Sequence, residues 1–360
     1  MTFFELIQVA LGNRDRLSVI PSAEEWRSIY AESERQAVTG IILHGIDRLK
    51  NLNTDINLNQ QMLLQWIGIG QMLEQRNRLM DERCVELLGR LKDAGLDGTI
   101  LKGQGIAQYY PKEIQKLRQP GDIDVYVDCG YHKALDYARS FGQKDVEWDY
   151  KHLHLKVWDD TEVEMHYRIE VLLNLWKNRK LQWWFCEQDP LLYGSQFMVN
   201  GCKVTIPSVE FNVFYILLHI YRHFLYEGVG LRQIVDYYMV LRMIHDSQLK
   251  VNEYVETVRE FGMVKFAKGL MWVMHEALGM PCDWMLWKPD EREGRYILKQ
   301  VMTGGNFGHH DKRLTRGDGK ISAVKAILTH NMHLLIHYPL DVIWAPVWIV
   351  WHKLWKLARV

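Results

Sequence analysis

The sequence predicts an α+β fold, with a small mixed-sheet core flanked by N-terminal helices and a C-terminal helical region. Three observations predict it. Apolar residues recur at helical spacing over residues 1–95, short runs of alternating apolar residues bounded by turn residues occupy 96–206, and helical spacing returns over 207–360. A chain of 360 residues is long enough for more than one core. We therefore divide it into an N-terminal helical region (1–95), an α/β core (96–206) and a C-terminal helical domain (207–360).

Each element has a local reason. The opening stretch MTFFELIQVALGNRDRL reads as an amphipathic helix, because Glu5 lies inside its apolar run and it has neither a basic leader nor a small-residue cleavage site. The clearest helix runs from Leu63 to Ala94, where Leu73, Asn77, Met80, Cys84, Leu87, Leu88 and Leu91 repeat at helical spacing before Gly95. Strands follow at Thr99 to Leu101, Asp122 to Asp128, about Glu147 to Trp158, and Glu162 to Ile169, with a helix at Tyr131 to Phe141. Asn200-Gly201 between FMV and CKVTI marks a hairpin with a type I′ turn. From Pro207-Ser208, which suits a helix start, the chain reads as helical, with breaks at Gly228 to Gly230, Met280-Pro281 and the glycine-rich run Thr303 to Lys320.

Composition narrows the function. Lys and Arg number 44, as do Asp and Glu, so no net positive charge draws the chain to a long nucleic acid. A hydrophobic share of 48% with 14 Trp and 17 Tyr excludes a disordered chain. The five cysteines are scattered and form no Cys-x-x-Cys pair, which points to a reducing cytoplasm rather than to disulfides or a cysteine zinc site. The C-terminal stretch LLIHYPLDVIWAPVWIVWHKLWKLARV is interrupted by His337, Pro339, Asp341 and Pro346. It reads as a packed helix with surface-directed Trp, with a membrane surface or a protein partner as the alternative.

The chemistry concentrates in residues 101–128, LKGQGIAQYYPKEIQKLRQPGDIDVYVD. Strand alternation places Asp122 and Asp124 on one face and Ile123, Val125 and Val127 on the other. Two residues of rise, about 6.6 Å, let both carboxylates converge on one or two divalent cations. In TEVEMHYRI, Glu162, Glu164, His166 and Arg168 alternate with apolar residues, so a strand here beside GDIDVYV makes Glu164 the third carboxylate. Three such acids repel one another unless metal or protons compensate them. Taken alone, Asp-x-Asp on a strand also fits a solvated edge. The Gly103-Gln104-Gly105 run has no third glycine and is not a dinucleotide fingerprint.

Leu101-Lys102-Gly103, Tyr110-Pro111, Arg118 and Gly121-Asp122-Ile123-Asp124, followed by Glu164-Met165-His166, together resemble a bacterial branch of uncharacterised nucleotidyltransferases in the polymerase-beta-like superfamily. His219, His223, Gly230-Leu231-Arg232 and Asp236 are similar to that branch's helical region. The resemblance implies transfer of a nucleoside monophosphate from a nucleoside triphosphate to a hydroxyl acceptor on a small molecule, glycan precursor or protein. Mg2+ or Mn2+ would be held by Asp122, Asp124 and Glu164, and nucleotide by Lys102, Gly103, Gln104, Gly105, Arg118 and Gly121. The superfamily's phosphate-binding Gly-Ser pair is replaced here by Gly103-Gln104. That departure gives some weight to the alternative of a non-catalytic nucleotide-binding or interaction module.

Downstream, His219 and His223 lie four apart on a helix without the intervening Glu of a zincin, and read as a polar seam with Arg232 and Asp236. This seam, with His166, supplies candidate cleft residues. The run 303–320 reads as a linker or as a loop that closes over phosphate. A protein partner at the Trp-rich C-terminal helix completes the expectations.

Overall fold

The computed structural model describes residues 2–54, 56–308 and 333–358. Helices α1 (Thr2–Leu11), α2 (Ala23–Arg35), α3 (Thr39–Asn51) and α4 (Gln60–Asp93) precede strand β1 (Gly98–Ile100). Two single turns, α5 (Gln104–Ala107) and α6 (Lys112–Gln115), lead to β2 (Ile123–Val127), α7 (Gly130–Ser140), β3 (His152–His154) and β4 (Val163–His166). After α8 (Leu175–Glu187) and the turn α9 (Asp189–Leu192), strands β5 (Ser195–Val199) and β6 (Cys202–Ile206) lead to α10 (Val209–Tyr226), α11 (Leu231–Asp246), α12 (Asn252–Glu260), α13 (Val264–Leu278) and α14 (Glu291–Gly304). The fold is α+β, as the alternation of patterns requires. Most of the glycine-rich run 303–320 lies outside the described residues.

The chain forms two compact units, each assembled from separated stretches. One comprises Met1–Arg78, Ala107–Pro120 and Ile216–Thr315, and the other Leu79–Ile106, Gly121–Tyr215 and Arg316–Val360. Neither follows the sequence division at 95/96 and 206/207, and both of those points fall within the second unit.

In the first unit, helices enclose the segment 107–120. Ser22 begins α2 with a capping box, its hydroxyl accepting from the Glu25 N–H while the Glu25 carboxylate accepts from the Ser22 N–H. Gly40 on α3 is required by close approach, since a Cβ there would lie 1.9 Å from the Leu117 carbonyl oxygen. Asn77 holds the same segment from the other end. Its side-chain amide donates to the carbonyls of Lys116 (2.9 Å) and Arg118 (2.8 Å). The helical repeat contained Asn77 among apolar positions, and its burial is explained by these bonds.

In the second unit, four strands form a mixed sheet in the order β1-β2-β4-β3, with β2 and β4 parallel and the outer pairs antiparallel. One face is apolar. Ile123, Val125, Val127, Leu153, Val163 and Met165 pack with Met80, Cys84, Leu87 and Leu91 of α4 and with Ala134 and Ala138 of α7. Full burial of a large aliphatic side chain is worth about 1.5–3 kcal/mol, so this face fixes the strand register, and a slip of one residue would expose it. The strands are shorter than the sequence pattern suggested, because pairing stops where the chain leaves for the next turn. β5 and β6 form a hairpin whose turn residues Asn200 and Gly201 both have positive φ (49° and 83°), as a type I′ turn requires.

The terminal helix, Trp344–Leu357, differs from the expectation of surface-directed Trp. Trp348, Trp351 and Trp355 turn inward onto Tyr150, with ring centroids 4.9–5.3 Å apart. Ile343, Val347, Val350, Leu354 and Leu357 are the exposed residues instead. Aromatic rings bury more area than aliphatic chains and pair edge to face with Tyr150, which accounts for the reversal. Among the described residues, no helix is long and apolar enough to cross a membrane.

Candidate active site

The polar face of the mixed sheet is opposite the packed one, and alternation sends the acids to it. Leu101 N–H donates to the Asp124 carbonyl at 2.9 Å, which fixes the end of β1 beside β2 and brings the next residue, Lys102, to the Asp124 side chain. Lys102 Nζ lies 2.7 Å from Asp124 Oδ1. In the parallel pairing of β2 and β4, Asp124 stands directly opposite Glu164. His166 follows Glu164 by two residues and faces the same way. Its Nε2 is 2.9 Å from Asp124 Oδ1 and 3.2 Å from Glu164 Oε2. Asp122, half-buried just before β2, adds a third negative charge to the field at Lys102, together with Asp124 and Glu164.

Asp124 and His166 are buried and Asp122, Glu164 and Lys102 half-buried, so three acids here meet one lysine and one histidine. Burial works against charge on Asp124, but Lys102 and the His166 hydrogen bond outweigh it and hold its carboxyl below the usual range. Glu164 follows the same pattern. Burial is overcome by the hydrogen bond from His166 and by the charge of its neighbours, and its carboxyl lies well below the ordinary value. Burial opposes a charge on Lys102 as well, yet the surrounding acids raise its pKa and keep it an ammonium. His166 is likewise raised, its bonds to Asp124 and Glu164 prevailing over burial.

The glycine-rich segment after β1 has mixed duties. Gly103 has φ +54°, and a Cβ there would meet the Asp122 carbonyl oxygen at 3.4 Å, so its backbone runs beside the acids in a conformation that glycine adopts freely. Gln104 is buried, and its amide donates to Asp81 Oδ1 at 2.5 Å, anchoring the turn to α4. Gly105 packs closely under Ile206, where a Cβ would lie 3.0 Å from the Ile100 carbonyl oxygen and 3.2 Å from the Ile206 side chain. Gly121 is exposed immediately before Asp122.

The other candidates belong to the first unit. Arg118 is clamped to Asp236, with Nε 2.8 Å from Oδ1 and Nη2 2.7 Å from Oδ2, and Tyr110 donates its hydroxyl to the same carboxylate at 2.6 Å. Arg118 Nη1 donates to the Gln119 carbonyl at 3.4 Å. The guanidinium therefore has a protein partner for its two-pronged face. Arg232 donates to the Gln119 carbonyl at 3.2 Å. His219 and His223 meet edge to face with ring centroids 4.2 Å apart, and His223 Nδ1 is 2.7 Å from Glu227 Oε2.

Two residues that sequence reasoning passed over stand on the polar face of the sheet. His152 and His154 flank buried Leu153 on β3, and antiparallel pairing sets His154 opposite Glu164 and His152 opposite His166. The His-x-His alternation in HLHL was the available signal. Burial and the neighbouring His166 lower the His152 pKa to about 4. Among the described residues, two groups bring ligand atoms within 4.8 Å of one another: Asp124, Glu164 and His166, and His152, His154 and Glu164. Asp122 is in neither group and joins the cluster through Lys102.

A family model described as "Uncharacterised nucleotidyltransferase" matches residues 22–279, more than half of the chain, and spans both the acid-bearing strands and the helices that carry Asp236. No curated protein and no solved structure matches the chain. On this match and its GDID-bearing sheet, the chain belongs to the family of uncharacterised nucleotidyltransferases.

Proposed function

We propose that the protein is a metal-dependent nucleotidyltransferase that moves a nucleoside monophosphate from a nucleoside triphosphate to a hydroxyl acceptor, releasing pyrophosphate. The observation that supports it most is the cross-strand pair Asp124 and Glu164, bridged by His166, with Lys102 ion-paired to Asp124. Three carboxylates against one ammonium and one histidine of raised pKa still leave acid in excess, and a further positive charge would complete the cluster. Oxygen donors of this kind suit Mg2+ or Mn2+. Asp122, Asp124 and Glu164 would hold the ions, which supply neutralisation of the charge on the attacking and leaving oxygens.

The side chains of the chain itself have distinct duties. Lys102 balances the acids in the resting protein and turns its ammonium to nucleotide phosphate when their charge is taken up. The backbone around Gly103 approaches Asp122 closely enough to offer N–H groups to the same phosphates. Glu164, which the His166 hydrogen bond keeps ionised against burial, orients the acceptor hydroxyl. His166 fixes the two acids relative to each other. Arg118, bound to Asp236, positions the segment 107–120 and is left out of phosphate binding. Zero net charge favours an acceptor on a small molecule, a glycan precursor or a protein over a long nucleic acid.

The test is release of pyrophosphate from nucleoside triphosphates by the purified chain. Release that requires Mg2+ or Mn2+ and disappears in Asp122→Ala and Asp124→Ala is expected. A folded protein that binds neither metal nor triphosphate would overturn the reading.

A further inference from the structure

The mixed sheet carries imidazoles at its edge that the proposed reaction does not use. β3 is an edge strand of this sheet, and its two outward residues, His152 and His154, stand on the same face as Glu164. His152 Nε2 is 3.5 Å from Glu164 Oε1. The ligand atoms of His152, His154 and Glu164 lie within 4.8 Å of one another, where ions bound at about 2.0–2.1 Å in a tetrahedral site would draw them to about 3.3 Å apart.

The other nitrogen of His152 supports the same conclusion. Its Nδ1 is inaccessible to solvent and makes no hydrogen bond, and the nearest acid is Asp149, with Oδ1 at 3.8 Å. Asp149 is itself held by the N–H groups of Lys151 and His152, at 2.7 and 2.8 Å. At 3.8 Å Asp149 does not hydrogen-bond this nitrogen, and it is the acceptor available to it when Nε2 takes a metal, as metal-binding histidines require. His166 is differently placed, with its Nε2 committed to Asp124 and Glu164.

We propose that His152, His154 and Glu164 form a site for one transition-metal dication of the zinc, cobalt or manganese class, separate from the all-oxygen position at Asp122 and Asp124 and sharing Glu164 with it. Two imidazole nitrogens suit such an ion and not magnesium, which prefers oxygen donors. Three protein ligands leave a fourth position for water or a substrate oxygen. Asp149 is a positioning residue for His152. The site stands whether or not the chain transfers nucleotides, since it is defined by binding of the metal alone.

Titration of the full chain with Co2+ in the presence of excess Mg2+ tests it. One Co2+ per chain is expected, with the visible absorption of a four- or five-coordinate ion carrying nitrogen ligands, and Zn2+ should displace it. His152→Ala and His154→Gln should each weaken binding at least about tenfold, and Asp149→Ala by about 10–100-fold. Asp122→Asn should leave it unchanged. His154 is half-exposed at the sheet edge, so His154→Gln remains informative if the His152 variant fails to fold. Displacement of Co2+ by Mg2+, absence of the absorption, or equal affinity in the folded His154→Gln protein would overturn the site. Absence of Co2+ binding with intact pyrophosphate release would sink this inference alone, and Co2+ binding without turnover would sink only the proposed reaction.

Discussion

Arg118 and Asp124 stand six residues apart in one motif, yet they end in two buried charge networks of opposite character. Arg118 meets Asp236 in a closed pair, one cation to one acid, with both guanidinium prongs and the Tyr110 hydroxyl filling the carboxylate. Asp124 sits in an open cluster in which Asp122, Asp124 and Glu164 share Lys102 and one raised histidine. A balanced pair has no call for a further ion and stabilises a fold. An unbalanced cluster is costly to bury and is suited to taking up ions and phosphate. In the proposed function, this difference in charge balance assigns Arg118 to structure and the acids of the open cluster to chemistry.

Four substitutions sharpen the contrast. The largest effect is expected for Asp124→Ala, which should lower pyrophosphate release by about 10³-fold or more, the scale of removing a preorganised electrostatic group, while unfolding stays cooperative. Next, Arg118→Ala strands the Asp236 carboxylate and should cost about 3–5 kcal/mol in urea-induced unfolding, with the Arg118→Ala/Asp236→Ala double variant recovering part of the loss. An undiminished stability in the single variant would remove the distinction between the two networks. Gly40→Ala, which forces a methyl against the Leu117 carbonyl, should destabilise the segment that carries Arg118 by about 1–3 kcal/mol in the same assay. Smallest is Lys102→Met. With its internal cation removed, the open cluster should bind Mg2+ about tenfold more tightly in the absence of nucleotide, and KM for the triphosphate should rise by a similar factor, a change of about 1.4 kcal/mol each.

The sequence made local features legible. Alternation in GDIDVYV and TEVEMHYRI assigned each acid to a face, and the turn at Asn200-Gly201 was written in its residue types. The pairing of the two strands was a condition that sequence could state but not supply, and the parallel register of Asp124 with Glu164 meets it. What could not be read was long-range partnership. Arg118 reads as a candidate phosphate ligand, and its partner Asp236, more than a hundred positions away, was not legible from the motif. Asn77 looked like one more position on an apolar stripe, although it is buried for its hydrogen bonds. His152 and His154 lay in an expected strand, and only the β3–β4 register set them against Glu164. The compact units are likewise assembled from distant stretches, which no composition shift along the chain marks.

The central claim is that the unbalanced acids receive ions together with nucleotide. Calorimetric titration of the purified protein with a nucleoside triphosphate, with and without Mg2+, tests it without knowledge of the acceptor. Binding that needs Mg2+ and is lost in Asp122→Asn and Asp124→Asn proteins that unfold like the unaltered chain is expected. Equal binding in those variants, or no binding with Mg2+ present, would contradict it.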